Sequence, residues 1–242
     1  MLGKVIPLIL LSFMALSTSE PVFERKEAYS LSDEINTLSA LWAGDLEGDH
    51  TPEILAGGIL FEAGVTRGAL LIIRRNEVSI LTPVSYVSRT LVMTVCNAIE
   101  GKEKEIVVGS RGLFIYSRAG KLLNEKSTGG DVTALQAVNF DETEPDEIIY
   151  GTSAGDVVYL SQFETEYRFS IGKTVNFILV GDENTFYVVT SHSISCRKAN
   201  GEQVWLHTVK DAILSAVCSD INADGKKEVV YVSGSAIFSL SL

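Results

Sequence analysis

The sequence predicts an all-β chain built from about five repeats of a four-strand unit, and three observations predict it. Almost no stretch carries the periodicity of an amphipathic helix, about 3.6 residues. Short β-branched and aromatic runs bounded by Gly, Asn, Asp and Ser recur from residue 23 onward. One pattern comes round repeatedly: an apolar strand, an acidic loop, Glu with three apolar residues, then Gly or Ser and another strand.

In chain order the runs are Ala40 to Gly44, Glu53 to Ala56, Ala69 to Ile73, Leu91 to Cys96, Glu105 to Val108, Leu113 to Tyr116, Glu147 to Tyr150 and Asp156 to Leu160. Val175 to Val180, Phe186 to Thr190, Ile194 to Arg197, Gln203 to His207, Ile213 to Cys218, Glu228 to Val232 and Ala236 to Leu240 follow. The repeat reads GDLEGDHTPEILAGG from Gly44, NAIEGKEKEIVVGS from Asn97, NFDETEPDEIIYGT from Asn139 and SDINADGKKEVVYVSG from Ser219. Its Glu residues, Glu53, Glu105, Glu147 and Glu228, lie 52, 42 and 81 positions apart. The last gap holds two units, because VNFILVGDENTFYVVTS from Val175 repeats the strand pair with a short turn in place of the acidic loop.

Units of about 40 to 50 residues with four strands each match the blades of a β-propeller. Repeats this short bury their faces only on neighbours, so the array must close or be capped. The last unit has three strands, and the strand-like segment Phe23 to Leu31 precedes the first. The expected fold is therefore a propeller of about five four-stranded antiparallel blades, with that segment completing the last blade and removing its open edge.

Ahead of the repeats, Lys4 is followed by an uncharged apolar run from Val5 to Leu16, with small residues Ala15 and Ser17 at its end. This is a secretory signal pattern over residues 1–18, shorter than the roughly 20 residues of a membrane span. An uncleaved anchor is the alternative. The chain is 46% apolar, and residues 19–242 then form a single domain, with no Pro-, Ser- or Gly-rich linker to divide them. Without residues 1–18 the chain has 19 basic and 31 acidic side chains and a net charge of −12, which disfavours nucleic acid and anionic membranes as partners. Cys96, Cys196 and Cys218 are odd in number and lack C-x-x-C spacing, so neither a disulfide framework nor a thiolate metal site is indicated.

The last acidic loop, Asp220-Ile221-Asn222-Ala223-Asp224-Gly225-Lys226-Lys227-Glu228, places oxygen side chains at its positions 1, 3, 5 and 9. Alternate spacing turns three of them toward one point. Gly at position 6 permits the tight turn that lets the backbone carbonyl of Lys226 join them. An all-oxygen set selects Ca2+ over zinc. The acid at position 9 and the flanking strands exclude an EF-hand. The same residues also read as an Asx-rich hairpin turn that holds no ion.

These residues resemble the FG-GAP repeat of integrin-α-like propellers, which implies a calcium ion in the loop between the first two strands of a blade. The resemblance puts Asp220, Asn222, Asp224 and Glu228 in the ligand role, and Asp45, Glu47, Asp49 and Glu53 in the first unit, where His50 replaces the Gly. The third unit offers the weaker set Asn139, Asp141, Thr143 and Glu147, and in the second Asn97, Ile99 and Gly101 cannot form the cage. The FG and GAP tripeptides themselves are absent. RAGKLLNEKST from Arg118 and KANGEQVWLHTV from Lys198 also look like outer hairpins of quinoprotein-type propellers, which supports architecture and not cofactor.

Gly151-Thr152-Ser153-Ala154-Gly155 matches the G-x-S-x-G of hydrolase elbows, but a strand-like segment follows where that elbow needs a helix. His50, His192 and His207 show no metal-like pairing. The expected function is a non-enzymatic binding or structural module, secreted or on the outer cell surface, that meets a protein or glycan ligand. Trp42, Trp205 and the other aromatics are candidates for its contact surface. The competing expectation is a polysaccharide-active glycosidase or lyase using carboxylates in a central channel.

Overall fold

A computed structural model of the protein describes residues 35–62, 65–74, 77–84, 92–99, 103–140 and 142–241. Every regular element among them is a β-strand. The expected signal segment 1–18 and the expected closing strand Phe23 to Leu31 lie outside the described residues.

The first sheet runs β1 (Ile35–Gly44), β2 (Glu53–Glu62), β3 (Val65–Arg74) and β4 (Glu77–Val84). The second runs β5 (Val92–Cys96), β6 (Glu105–Gly109), β7 (Gly112–Ser117) and β8 (Leu122–Ser127). The third is β9 (Val132–Val138), β10 (Glu147–Thr152), β11 (Asp156–Ser161) and β12 (Glu164–Ser170). The fourth is β13 (Phe177–Val180), β14 (Thr185–Val189), β15 (Ser193–Lys198) and β16 (Gln203–Thr208). The fifth has three described strands, β17 (Ile213–Ser219), β18 (Glu228–Ser233) and β19 (Ala236–Leu240). Every neighbouring pair is antiparallel, as in a meander. The innermost strands of successive sheets, β1, β5, β9, β13 and β17, lie against one another in that order. The chain is a five-bladed β-propeller.

Its core is a set of layers between blades. Leu55, Leu70 and Ile72 of the first blade meet Ile106, Val108, Phe114 and Tyr116 of the second. Val107, Leu113 and Ile115 meet Ile148, Tyr150, Val158 and Leu160 of the third. Ile149, Val157 and Tyr159 meet Phe186 and Val188 of the fourth, whose Tyr187, Val189 and Ile194 meet Val229 and Tyr231 of the fifth. Alternate residues of one strand thus enter opposite layers. A middle strand needs apolar residues at every position, which is why EIVVG and EIIYGT are buried throughout. Each such side chain contributes about 1.5–3 kcal/mol when fully buried. Strands β4, β8, β9 and β12 escaped the reading by apolar runs, although β8 lies in the segment from Arg118 that looked like an outer hairpin. Where side chains are described, polar residues interrupt the runs: Thr133 and Gln136 in β9, and Glu164, Thr165 and Arg168 in β12.

Gly109 and Gly151 explain the Gly that ends the repeated motif. A Cβ at Gly109 would lie 2.5 Å from Val132 Cγ1 of the next blade, and one at Gly151 would meet Val175 just as tightly. The blades pack here backbone against side chain. Gly151→Ala is expected to destabilise the protein by about 1–3 kcal/mol through overpacking. Thermal melts should show the loss for Gly151→Ala and not for Gly130→Ala, whose added Cβ meets nothing within 3.7 Å.

Candidate metal centre

The acidic loops all follow an innermost strand, so they gather at one end of the propeller, and each ends in a Glu that opens the next strand. Glu53, Glu105, Glu147 and Glu228 are all buried, at 3, 7, 3 and 3% exposure. Each accepts a hydrogen bond from the backbone N–H seven residues earlier: Leu46 at 2.8 Å, Ala98 at 2.9 Å, Phe140 at 3.0 Å and Ile221 at 3.0 Å. The carboxylate therefore staples the loop to the root of its own hairpin. Because the bond also forms in the second loop, where the side chains cannot form a cage, its first role is structural. The fourth blade replaces staple and loop by a turn with positive φ at Glu183 (50°) and Asn184 (59°), closed by Thr185 N–H on the Asp182 carbonyl at 3.0 Å.

The first and fifth loops share one backbone form. Asp45 accepts from Asp49 N–H at 3.1 Å and His50 N–H at 2.9 Å, and Asp220 accepts from the equivalent Asp224 at 3.2 Å and Gly225 at 2.9 Å. Asp49 accepts from Thr51 N–H at 2.8 Å, and Asp224 from Lys226 N–H at 2.9 Å. Positive φ falls at Gly48 (77°) and His50 (66°) in one loop and at Ala223 (60°) and Gly225 (85°) in the other. His50 thus occupies the left-handed conformation that Gly225 adopts freely. In the third loop Glu142 keeps the first positive φ (59°), but the Glu144–Pro145 peptide is cis and the second is lost. Asp141 lies outside the described residues.

The two loops part at their third position. In the fifth, Asn222 Oδ1 accepts from Asp224 N–H at 2.9 Å, while Asn222 Nδ2 donates to Asp224 Oδ2 and Glu228 Oε1, each at 3.0 Å. Two carboxylates with different roots in the chain thus converge where the positive end of an amide dipole sits. Three carboxylates and a carboxamide form a donor set suited to a hard divalent cation. Lys226 is exposed, and its described contact is the N–H on Asp224. In the first loop Glu47 turns to Arg74 instead, at 2.6 Å. Among the described residues no group of three His, Cys, Asp or Glu side chains is already closed around a metal-sized point.

Sequence reading missed the residue just before Glu105, Glu147 and Glu228, which ties each of these loops to the preceding blade. Lys104 Nζ donates to the Asp45 carbonyl at 2.9 Å, Asp146 Oδ2 accepts from Asn97 N–H at 2.9 Å, and Lys227 N–H donates to Asp182 Oδ2 at 2.7 Å. The signal was present as an ordinary surface charge, with nothing in one dimension to show that its partner lies 59, 49 or 45 residues away.

Where these loops leave the innermost strands, Trp42, Thr94, Cys96, Gln136, Asn139 and Asp146 line a cavity of about 360 Å³. Trp42 and Trp205, expected as possible contact aromatics, pack against the first and last inter-blade layers. Ser153 sits in the β10–β11 hairpin turn, which Gly155 N–H closes on the Thr152 carbonyl, so the G-x-S-x-G segment is a turn as expected. His207 Nε2 bonds Tyr231 Oη at 3.2 Å across the last two blades, while His50 and His192 are exposed. The cysteines are unbonded thiols, and burial pushes the Cys218 thiol up to about 11.

His50→Gly is expected to stabilise the protein by about 1 kcal/mol, since a non-Gly residue in the left-handed region carries strain of that order; chemical denaturation measures it. Burial raises the Glu105 carboxyl above its ordinary value, against the opposing pull of the Ala98 and Ile99 N–H groups. The folded state then holds the proton more tightly, so this stability is fully present below the ordinary value and is lost as pH rises through the raised one. Glu105→Gln should remove that pH dependence and change stability little at neutral pH. Glu105→Ala, which leaves Ala98 N–H unpaired, should cost about 1–3 kcal/mol.

No family model matches this chain, and no curated protein does. Among solved structures it is similar to BBS1N in its complex with ARL6DN, soaked with lead, at TM-score 0.56 and 12% identity, covering 83% of this chain and 76% of that one. It is also similar to the computationally designed Ika8 protein, at TM-score 0.53 and 10% identity, covering 85% and 71%. At such identities the likeness shows the fold alone, and it places the chain among β-propellers.

Proposed function

We propose that this protein is an exported β-propeller of the FG-GAP type, stabilised by Ca2+ in its fifth loop, that serves as a binding or structural module at or outside the cell surface. The convergence of Asp224 and Glu228 on the Asn222 amide carries the calcium reading, because it gathers one oxygen of each carboxylate at a single point, held there by a neutral amide N–H that a cation would replace. Asp220, Asn222, Asp224 and Glu228 hold the ion with the Lys226 carbonyl, and its work is to rigidify the loop against the fourth blade through Lys227 and Asp182.

A protein partner is the favoured ligand. The similar BBS1N propeller was solved in complex with ARL6DN, and a five-bladed ring offers a partner a rigid end face of loops. The cavity beside Trp42 and Asp146 is a concave feature on that face. A glycan ligand of the same face is the other occupant of this reading, and export follows from the signal pattern.

Calorimetric titration of the EDTA-stripped protein with calcium tests the core of the proposal. Calcium uptake with a raised melting temperature, both lost in Asp224→Ala, is expected, at the affinity of about 0.1–1 mM common in extracellular modules. No heat and no shift at several times that concentration overturns the calcium reading and leaves the fifth loop an Asx-rich turn.

A further inference from the structure

The first loop carries more carboxylates than the fifth, yet its surroundings differ in one respect. Glu47, Asp49, Thr51 and Glu53 share a cavity of about 200 Å³ with Arg74. Arg74 Nη2 lies 2.6 Å from Glu47 Oε1, a short charge-assisted contact, and its buried Nε has no other partner among the described residues. Arg118 and Lys104 approach the same loop from the second blade, donating to the Glu47 carbonyl at 3.4 Å and the Asp45 carbonyl at 2.9 Å.

Strand register shows that the guanidinium is peculiar to this blade. Ile54 pairs with Ile73, which sets Arg74 beside the staple Glu53 at the next step of the hairpin. In the second blade Glu105 pairs with Ser117. In the third, Ile148 pairs with Leu160 and the next step sets Ser161 beside Glu147. In the fifth, Val229 pairs with Leu240 and the next residue is Ser241. Three blades have a small hydroxyl where the first has a tethered guanidinium, and the fourth, which lacks the staple Glu, sets Lys198 beside Thr185.

We propose that Arg74 is the resident cation of the first loop, holding it closed without metal and barring a dication from Asp45, Glu47, Asp49 and Glu53. The guanidinium pairs with Glu47 at the loop's third position and shares one cavity with Asp49 and Glu53 at its fifth and ninth, so its charge repels a second cation there. His50 in place of Gly is tolerated here because an internal ion pair, rather than ion coordination, sets the loop's closure. The calcium count of the whole chain then falls to the fifth loop alone; that part rests on the reading above, and the role of Arg74 does not.

The test is calorimetric calcium titration of the EDTA-stripped full chain in five forms: wild type, Arg74→Lys, Arg74→Ser, Asp49→Asn and Arg74→Ser/Asp49→Asn. Thermal melts with and without calcium accompany it. Wild type, Arg74→Lys and Asp49→Asn are expected to take up equal numbers of ions, Arg74→Ser one more, and the double variant to lose that extra ion. Arg74→Ser should melt lower than wild type in EDTA and recover in calcium. Loss of an ion in Asp49→Asn, or no added ion in Arg74→Ser, overturns the proposal. If Arg74→Ser does not fold in EDTA, recovery in calcium but not magnesium supports it, and no recovery in either overturns it. Asp224→Ala reports on the fifth loop separately: a wild type that binds nothing while Arg74→Ser binds one ion upholds the role of Arg74 and removes the fifth site.

Discussion

Everything at the loop end of this propeller hangs on a buried carboxylate that accepts the backbone N–H seven residues before it. Glu53, Glu105, Glu147 and Glu228 each do this at 2.8–3.0 Å, and each is nearly without solvent exposure. A carboxylate out of water is costly unless its oxygens are spoken for, and an unpaired backbone N–H at the root of a loop is costly too. The two groups meet each other's need. The bond fixes where the second strand of a blade starts, and with it the register of the apolar residues that follow.

From that register comes the alternation of the core. In β6 and β10 successive residues enter the layers on opposite sides, so that one strand serves two interfaces. A one-residue slip would exchange the two sets of neighbours, and Gly109 and Gly151 would no longer meet the valines that pack over their missing side chains. Lys104, Asp146 and Lys227, next to the staple in sequence, bind the preceding blade, so position along the ring and closure of the loop are set at adjacent residues.

With the backbone form common to the first and fifth loops, chemistry is decided by a single side chain at the third position and by what stands across the hairpin. Asn222 brings an amide between Asp224 and Glu228, whereas Glu47 is drawn to Arg74. One geometry thus presents two electrostatic surroundings, one of oxygens facing an amide and one already holding a guanidinium. Affinity for a cation depends on that balance more than on the count of carboxylates, because each oxygen engaged by an N–H or an arginine offers less to an ion.

The sequence by itself determined the fold class, a count of about five blades and the position of every acidic loop. Strands buried on both faces must be written as continuous apolar runs, and in four of the five blades a staple Glu opens the second strand. Local rules also identified Ser153 as part of a turn and the fourth unit as one without its loop. They did not find β9 or β12, where polar residues break the apolar pattern, and they treated Glu as a ligand before a staple, since the partner of its carboxylate is a backbone group that carries no residue identity. They ranked the first loop by its carboxylates and by His50 alone. Only the tertiary structure brought Arg74 beside Glu53 and Glu47, and Asp182 under Lys227, because pairing across a hairpin and between blades joins residues whose separation in the chain has no local signature.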